Sequence, residues 1–416
     1  MVNLQENTSS IKTKKAVAIF VTALTLYFVS YIMKLQFQNI DDKKLSILQF
    51  TFLAIMLFAC KDLITDFKFE SLYFKFIFFV FIAYQFILIA RGFVLNYQIM
   101  KDIVQTDIIF WPGVIPFAIF FNKQDLAFFY LIKSFFVLAV IFLFFSVLDP
   151  FLVTQRVTSE PFVLTFAFTA GFLFLNTKYL SKKVSWVSFI SLLVGLVSFI
   201  YLARRNAIIS FGSLLITGLY IILRSFSASK FIKFIPVLGA IFIVSVYVID
   251  RLPGSLTQRL NDRVTEDSRS FVFENLFKGL KNDMFFGKGM NGTYYSPMDD
   301  ELTEDGIQYG AIEYRNGIEN GYLQLLLNGG YVNIVLFVLT ALPAAFLGIF
   351  KSRNQLSRSC GIVVFLWLMD MGIYGLPRLL LEYVLVWIAV GICYSQSFRN
   401  RSEEEITESF RLVGLN

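Results

Sequence analysis

Apolar residues fall along this chain in blocks of fifteen to twenty, separated by short charged punctuation. A helix of about 20 residues rises 30 Å, enough to cross the hydrocarbon of a bilayer. The pattern predicts twelve spans: 16–33, 45–60, 72–90, 108–121, 126–148, 161–177, 184–203, 207–223, 231–249, 331–350, 359–376 and 379–396. Segments 184–203 and 331–350 carry no charge in twenty residues each. Segment 108–121 is short and holds Pro112 and Pro116, so a broken or re-entrant piece is expected there. The fold class that follows is an all-α polytopic membrane protein of about 12 transmembrane helices. It divides into an N-terminal bundle (1–249), an extracytoplasmic loop (250–330), C-terminal membrane helices (331–396) and a cytoplasmic tail (397–416).

Composition narrows the chemistry. The 416 residues are 56% hydrophobic and 16% charged, against about 25% charged in soluble domains. Soluble enzymes, secreted domains and nucleic-acid-binding modules are therefore excluded. The chain has no His, which removes His-based catalysis, haem ligation and His-ligated metal sites. Cys60, Cys360 and Cys393 show no metal-ligand spacing and all fall near cytoplasmic ends, so no disulfide framework is expected.

Basic residues orient the spans. With the N-terminus inside, the cytoplasmic segments hold eighteen Lys and Arg and the short outer loops nine, which favours both termini in the cytoplasm. The net charge of +7 then mostly anchors the protein to the inner leaflet. The N-terminal apolar run lacks a small-residue cleavage site and reads as an uncleaved first span. One outer segment, 250–318, is long and rich in charge, Gly and Asn. Within it Phe271, Leu276, Phe277 and Leu280 interleave with Glu274, Lys278 and Lys281, the pattern of a helix lying on the membrane surface.

Candidate chemistry gathers at the same outer boundary. Arg204 and Arg205 lie in a three-residue connection between uncharged spans; they either snorkel to lipid phosphate or face an anionic head group. Arg269 opens the amphipathic stretch. In "RNGIENGYLQLLLNGG" (315–330) a short interfacial helix over 320–328 is expected to break at Gly329-Gly330, with Glu319 at its start. Arg315 lies four residues earlier and would share a side with Glu319 if that stretch were helical. Several guanidiniums and a carboxylate suit transfer of a sugar from a lipid diphosphate. Arginine offsets the growing charge of the leaving diphosphate without a metal, and a carboxylate whose pKa is raised by partial burial serves as base. Asp370, Arg378 and Glu382 form a further outer cluster, for which a structural ion pair is an equal reading. The acidic run Asp299, Asp300, Glu301, Glu304 and Asp305 has the ligand type for a divalent cation, but a solvated loop is the preferred reading.

Three stretches resemble the bacterial O-antigen polymerase and O-antigen ligase superfamily of membrane glycosyltransferases. "ARRNAIISFGSLL" resembles its Arg-containing turn before a span, with Arg205 in the Arg slot. "SRSFVFENLFKGLKNDMFFGKGMNGTY" resembles the segment running from an Arg to a Gly-x-Gly turn, here Gly287-Lys288-Gly289. "ENGYLQLLLNGGYVN" resembles the stretch that usually begins His-Asn. The resemblance covers about 200–350. It implies a GT-C-like fold, no cofactor, and an undecaprenyl-diphosphate-linked glycan as donor, held by Arg205 and Arg269 with help from Arg204 or Arg315. The acceptor is a second lipid-linked unit, its hydroxyl activated by Glu319, with Asn320, Tyr322, Gly287, Gly289 and Arg378 supporting. A chain-length regulator and a flippase are implied partners.

Glu319 stands where ligases carry His, and Asn333 where their pattern ends in Gly, so the departures favour a polymerase at the outer face of the bacterial cytoplasmic membrane. A ligase or protein oligosaccharyltransferase would share the donor site. A flippase or other transporter would share the span count, but would show related halves and a polar site near the midplane. A metal-dependent transferase using Asp41-Asp42 ranks low beside Lys43 and Lys44.

Overall fold

A computed structural model describes residues 2–36, 42–64, 69–92, 111–123, 125–152, 160–201, 205–224, 268–296, 314–373 and 375–416. The predicted span 231–249, Arg204, Asp41 and the acidic run Asp299–Asp305 lie outside the described residues. The remainder is almost entirely helical: α1 (Val2–Gln36), α2 (Asp42–Ile64), α3 (Leu72–Gly92), α4 (Trp111–Val114), α5 (Asp125–Leu152), α6 (Glu160–Leu175), α7 (Lys182–Tyr201), α8 (Arg205–Arg224) and α9 (Ser268–Gly279). A two-residue antiparallel ladder follows, β1 (Tyr294–Tyr295) with β2 (Tyr314–Arg315). Then come α10 (Gly321–Phe350), α11 (Gln355–Asp370), α12 (Leu381–Tyr394), α13 (Gln396–Arg399) and α14 (Glu403–Leu412).

Leu72–Gly92, Phe128–Ser146, Lys182–Phe199 and Gly321–Phe350 are each long and apolar enough to cross a membrane. Lys15–Tyr31, Lys44–Ala59, Ala207–Ile222 and Leu381–Tyr394 are shorter apolar helices. The protein is thus a helical membrane protein. Where a regular span is least expected, the chain forms the single turn α4 and then a 3₁₀ stretch, Ile115–Lys123. Pro112 fits a first helical turn, whereas Pro116 removes the donor that an α-helix would need next.

The core is built around α12, all of whose fourteen residues are buried. Trp387 stacks on Phe81 of α3 (centroids 5.5 Å apart) and meets Phe337 of α10 edge-on at 6.0 Å. Helices α3 and α10 run antiparallel, since Tyr73 Oη donates to the Leu339 carbonyl (2.8 Å) and Tyr84 Oη to that of Gly329 (2.7 Å). Phe199, near the end of α7, meets Phe211, near the start of α8, at 4.9 Å, packing these helices together beside their short connection.

Two ends of the bundle differ in character. At one, Lys351, Arg353, Arg399 and the tail are tied together: Arg353 N donates to the Arg399 carbonyl (2.9 Å) and Arg399 Nη1 to that of Lys351 (2.9 Å). Helix α14 carries a capping box of Ser402 and Glu405 and buries Ile406 and Phe410. Phe410 stacks on Tyr179 at 5.3 Å, and Lys178 pairs with Glu403 at 3.3 Å.

Just before α3, the Glu70 carboxylate accepts bonds from Ser395 Oγ (3.1 Å), Ser397 N (2.9 Å) and Ser397 Oγ. Burial acts to raise the Glu70 pKa, but these hydrogen bonds outweigh it and leave the group below its ordinary value. A carboxyl lowered in the folded state contributes stability above its unfolded value of about 4.3 and loses it as pH falls through the folded value. Thermal midpoints of the detergent-solubilised protein should therefore drop below pH of about 4. Glu70→Gln should flatten part of that drop; an unchanged acid profile would rule the clamp out as a contributor.

Candidate functional site

The opposite end is organised by an interruption in α10. Gly330 adopts φ 63°, ψ −166°, a conformation reached almost only by glycine, and divides the helix into two halves. An interrupted helix at membrane depth must have its freed backbone groups satisfied by protein. Here the turn 284–289 does this from both sides. Lys288 N and Gly289 N donate to the carbonyls of Leu327 and Asn328 (2.8 Å each), ending the first half. Tyr331 N and Val332 N donate to the carbonyls of Met284 (2.9 Å) and Phe285 (3.2 Å), starting the second. The Gly-x-Gly turn is what permits this approach. Gly287 and Gly289 have φ of 60° and 88°, and a Cβ on Gly287 would strike the backbone at Asn328–Gly330.

The first half of α10 begins beside the end of α11. Asn320 caps it, its Oδ1 accepting from Leu323 N (3.0 Å) while its Nδ2 donates to the Gly372 carbonyl (2.6 Å). Tyr322 Oη donates to the Leu368 carbonyl at 2.8 Å. Ser210, early in α8, donates to Asp370 Oδ1 (2.8 Å), which brings the start of α8 to this same end. Helix α9 packs Leu276, with Leu280 just beyond it, against Ile318, Leu326, Leu327 and Tyr294.

The ladder sits on that cluster, pairing Tyr294 with Arg315 and Tyr295 with Tyr314. Tyr294 is buried and its phenol is pushed up by that burial, with Arg315 opposing the shift. The Tyr295 and Tyr314 rings form an exposed edge-to-face pair at 5.6 Å.

Among the described residues, those expected from the sequence to form the site lie on elements that meet at one end; Arg204 is outside the described residues. Arg205 opens α8 and Arg269 stands in the first turn of α9. Glu319 stands just before the helix, which starts at Gly321 after the Asn320 cap, but it is exposed and lacks the partial burial that would suit a carboxylate base. Arg315 and Glu319 do not share a helix side: Arg315 lies in β2, and 316–320 is a turn because helical geometry starts only after the Asn320 cap. Arg378 is half-buried in the connection between α11 and α12, where Leu380 N donates to its carbonyl (2.7 Å).

A series of buried amides is not anticipated by the sequence pattern. Gln85 Nε2 donates to Asn333 Oδ1 (2.6 Å), and Gln324 Nε2 to Asn328 Oδ1 (3.0 Å), while Gln324 Oε1 accepts from Ile318 N (2.9 Å). The available signal is Gln85 deep within a largely apolar span, which is costly unless paired. Among the described residues, no group of three or more Cys, Asp or Glu converges as a metal site would require. No family model, curated protein or solved structure matches the chain.

Proposed function

We propose that the protein is an integral-membrane glycosyltransferase that polymerises undecaprenyl-diphosphate-linked repeat units at the outer face of the bacterial cytoplasmic membrane. What carries this reading is convergence. The start of α8 with Arg205, helix α9 with Arg269, the Gly287–Gly289 turn and the Glu319-Asn320 tip of α10 come to one end of the bundle. These are the three stretches that resemble the O-antigen polymerase and ligase superfamily. Lys178, Lys351, Arg353 and Arg399 occupy the other end beside the C-terminal tail, as expected if that end faces the cytoplasm. The described helices, with 231–249, would supply the twelve spans of a GT-C-like fold.

In this reading Arg205 and Arg269 hold the donor diphosphate and offset the charge that grows as it leaves. The non-reducing-end hydroxyl of a second lipid-linked unit attacks the anomeric carbon, its proton passing to Glu319, and the configuration inverts. The half-helix beginning at Gly321 directs its positive dipole end toward the same place.

The test is complementation in cells lacking the protein, with surface polysaccharide resolved as a gel ladder. Deletion should leave single repeat units attached. Arg205→Ala and Arg269→Ala, at normal membrane levels, should fail to restore the ladder. Long chains stranded on undecaprenyl diphosphate after deletion would make it a ligase. A normal ladder from both variants would overturn the site.

A further inference from the structure

Arg91 ends α3 at the interrupted helix, and its guanidinium grips the turn that carries the interruption. Nη1 donates to the Phe286 carbonyl (2.8 Å) and Nη2 to the Gly287 carbonyl (2.9 Å). A planar fork holds two successive carbonyls at a fixed angle, which a lysine ammonium cannot reproduce. Two further bonds dock the same turn on α3: Met290 N to the Leu88 carbonyl (3.2 Å) and Asn291 Nδ2 to that of Gly92 (2.6 Å). The fit leaves little room, since a Cβ on Gly92 would lie 2.7 Å from Asn291 N and one on Gly289 3.2 Å from Arg91 Cβ.

The turn is itself continuous with both halves of the site. Upstream, Gly287 N donates to the Asp283 carbonyl (2.7 Å) and Asp283 N to that of Leu280 (2.7 Å), coupling it to the end of α9. Downstream, Lys288 N and Gly289 N hold the first half of α10, at whose tip Glu319 stands. Any shift of the turn moves the Arg269 helix and the Glu319 half-helix relative to the membrane core.

We propose that Arg91 is a positioning residue: through the 284–289 turn it fixes the Arg269-bearing and Glu319-bearing elements relative to each other, without touching substrate. The catalytic part of this rests on the glycosyltransferase reading above; the structural part does not.

Two measurements on purified full-length protein separate them. The first is hydrogen exchange at the Lys288, Gly289, Tyr331 and Val332 amides, compared with α12 as an internal reference. Arg91→Lys should speed exchange at those amides about tenfold and leave α12 unchanged. The second is turnover of a synthetic undecaprenyl-diphosphate-linked oligosaccharide. The same variant should lower kcat by about 10–100-fold with donor KM within about twofold of wild type. Tyr84→Phe keeps the ring, removes the bond to the Gly329 carbonyl, and should shift both readouts the same way by a smaller factor. It also serves if Arg91→Lys fails to fold.

Unchanged exchange in the variants would overturn the clasp. Faster exchange with full kcat would overturn the positioning role, and so would weakened donor KM with kcat retained, which would make Arg91 a diphosphate contact. Wild-type protein without turnover would sink the glycosyltransferase reading alone, leaving the clasp to be decided by exchange.

Discussion

Alanine at Gly330 is expected to destabilise the protein by on the order of 3 kcal/mol or more, since it meets two separate penalties. The first is conformational, because φ 63°, ψ −166° is strained for any residue with a Cβ. The second is steric: that Cβ would press on the Phe285 carbonyl, which accepts the Val332 amide. Relief of the clash would pull the turn off the second half-helix, exposing backbone groups that lipid cannot satisfy. Gly212→Ala is the matched control, as a Cβ there meets nothing within 4 Å. Thermal unfolding in detergent should separate the two variants clearly. Equal midpoints would mean that α10 tolerates a continuous helix and that the interruption is dispensable.

Glu319→Gln is expected to lower turnover by about 10²–10⁴-fold, the usual worth of a general base. The substitution is isosteric and the side chain is exposed, so membrane level and melting temperature should stay at wild-type values. Donor binding, assigned to Arg205 and Arg269, should persist, which places the loss in kcat. The measurement is a single-turnover assay with lipid-linked acceptor in excess. Full turnover in Glu319→Gln would shift the role of base to another carboxylate at this end. Asp370 is then the first to test, as Ser210 already orients its Oδ1.

Most of the helices are legible in the sequence because span length is a strong signal: α2, α3, α5, α7 and α8 each fall within a few residues of the predicted bounds. The interruption at Gly329-Gly330 is also legible, since consecutive glycines mark a change of backbone conformation. Its remedy is not. Nothing local in 321–332 indicates that its orphaned groups are met by 284–289, because that match depends on tertiary approach. The role of Arg91 is hidden for the same reason: in sequence it is one more outer-loop cation, and only the folded chain brings two carbonyls within reach of its guanidinium. The condition under which Arg315 and Glu319 would share a helix side is not met, because the ladder with Tyr294 and the Asn320 cap claim the intervening stretch.

The Gln85–Asn333 bond joins groups 248 residues apart in the chain. At synthesis rates of about 5–20 residues per second, α3 is completed roughly 10–50 seconds before its partner leaves the ribosome. Throughout that interval a polar amide, and an arginine further along the same helix, wait in or beside the bilayer without their final partners. Membrane insertion of this protein therefore has a built-in vulnerable period, during which α3 depends on the insertion machinery or on temporary neighbours to hold its place.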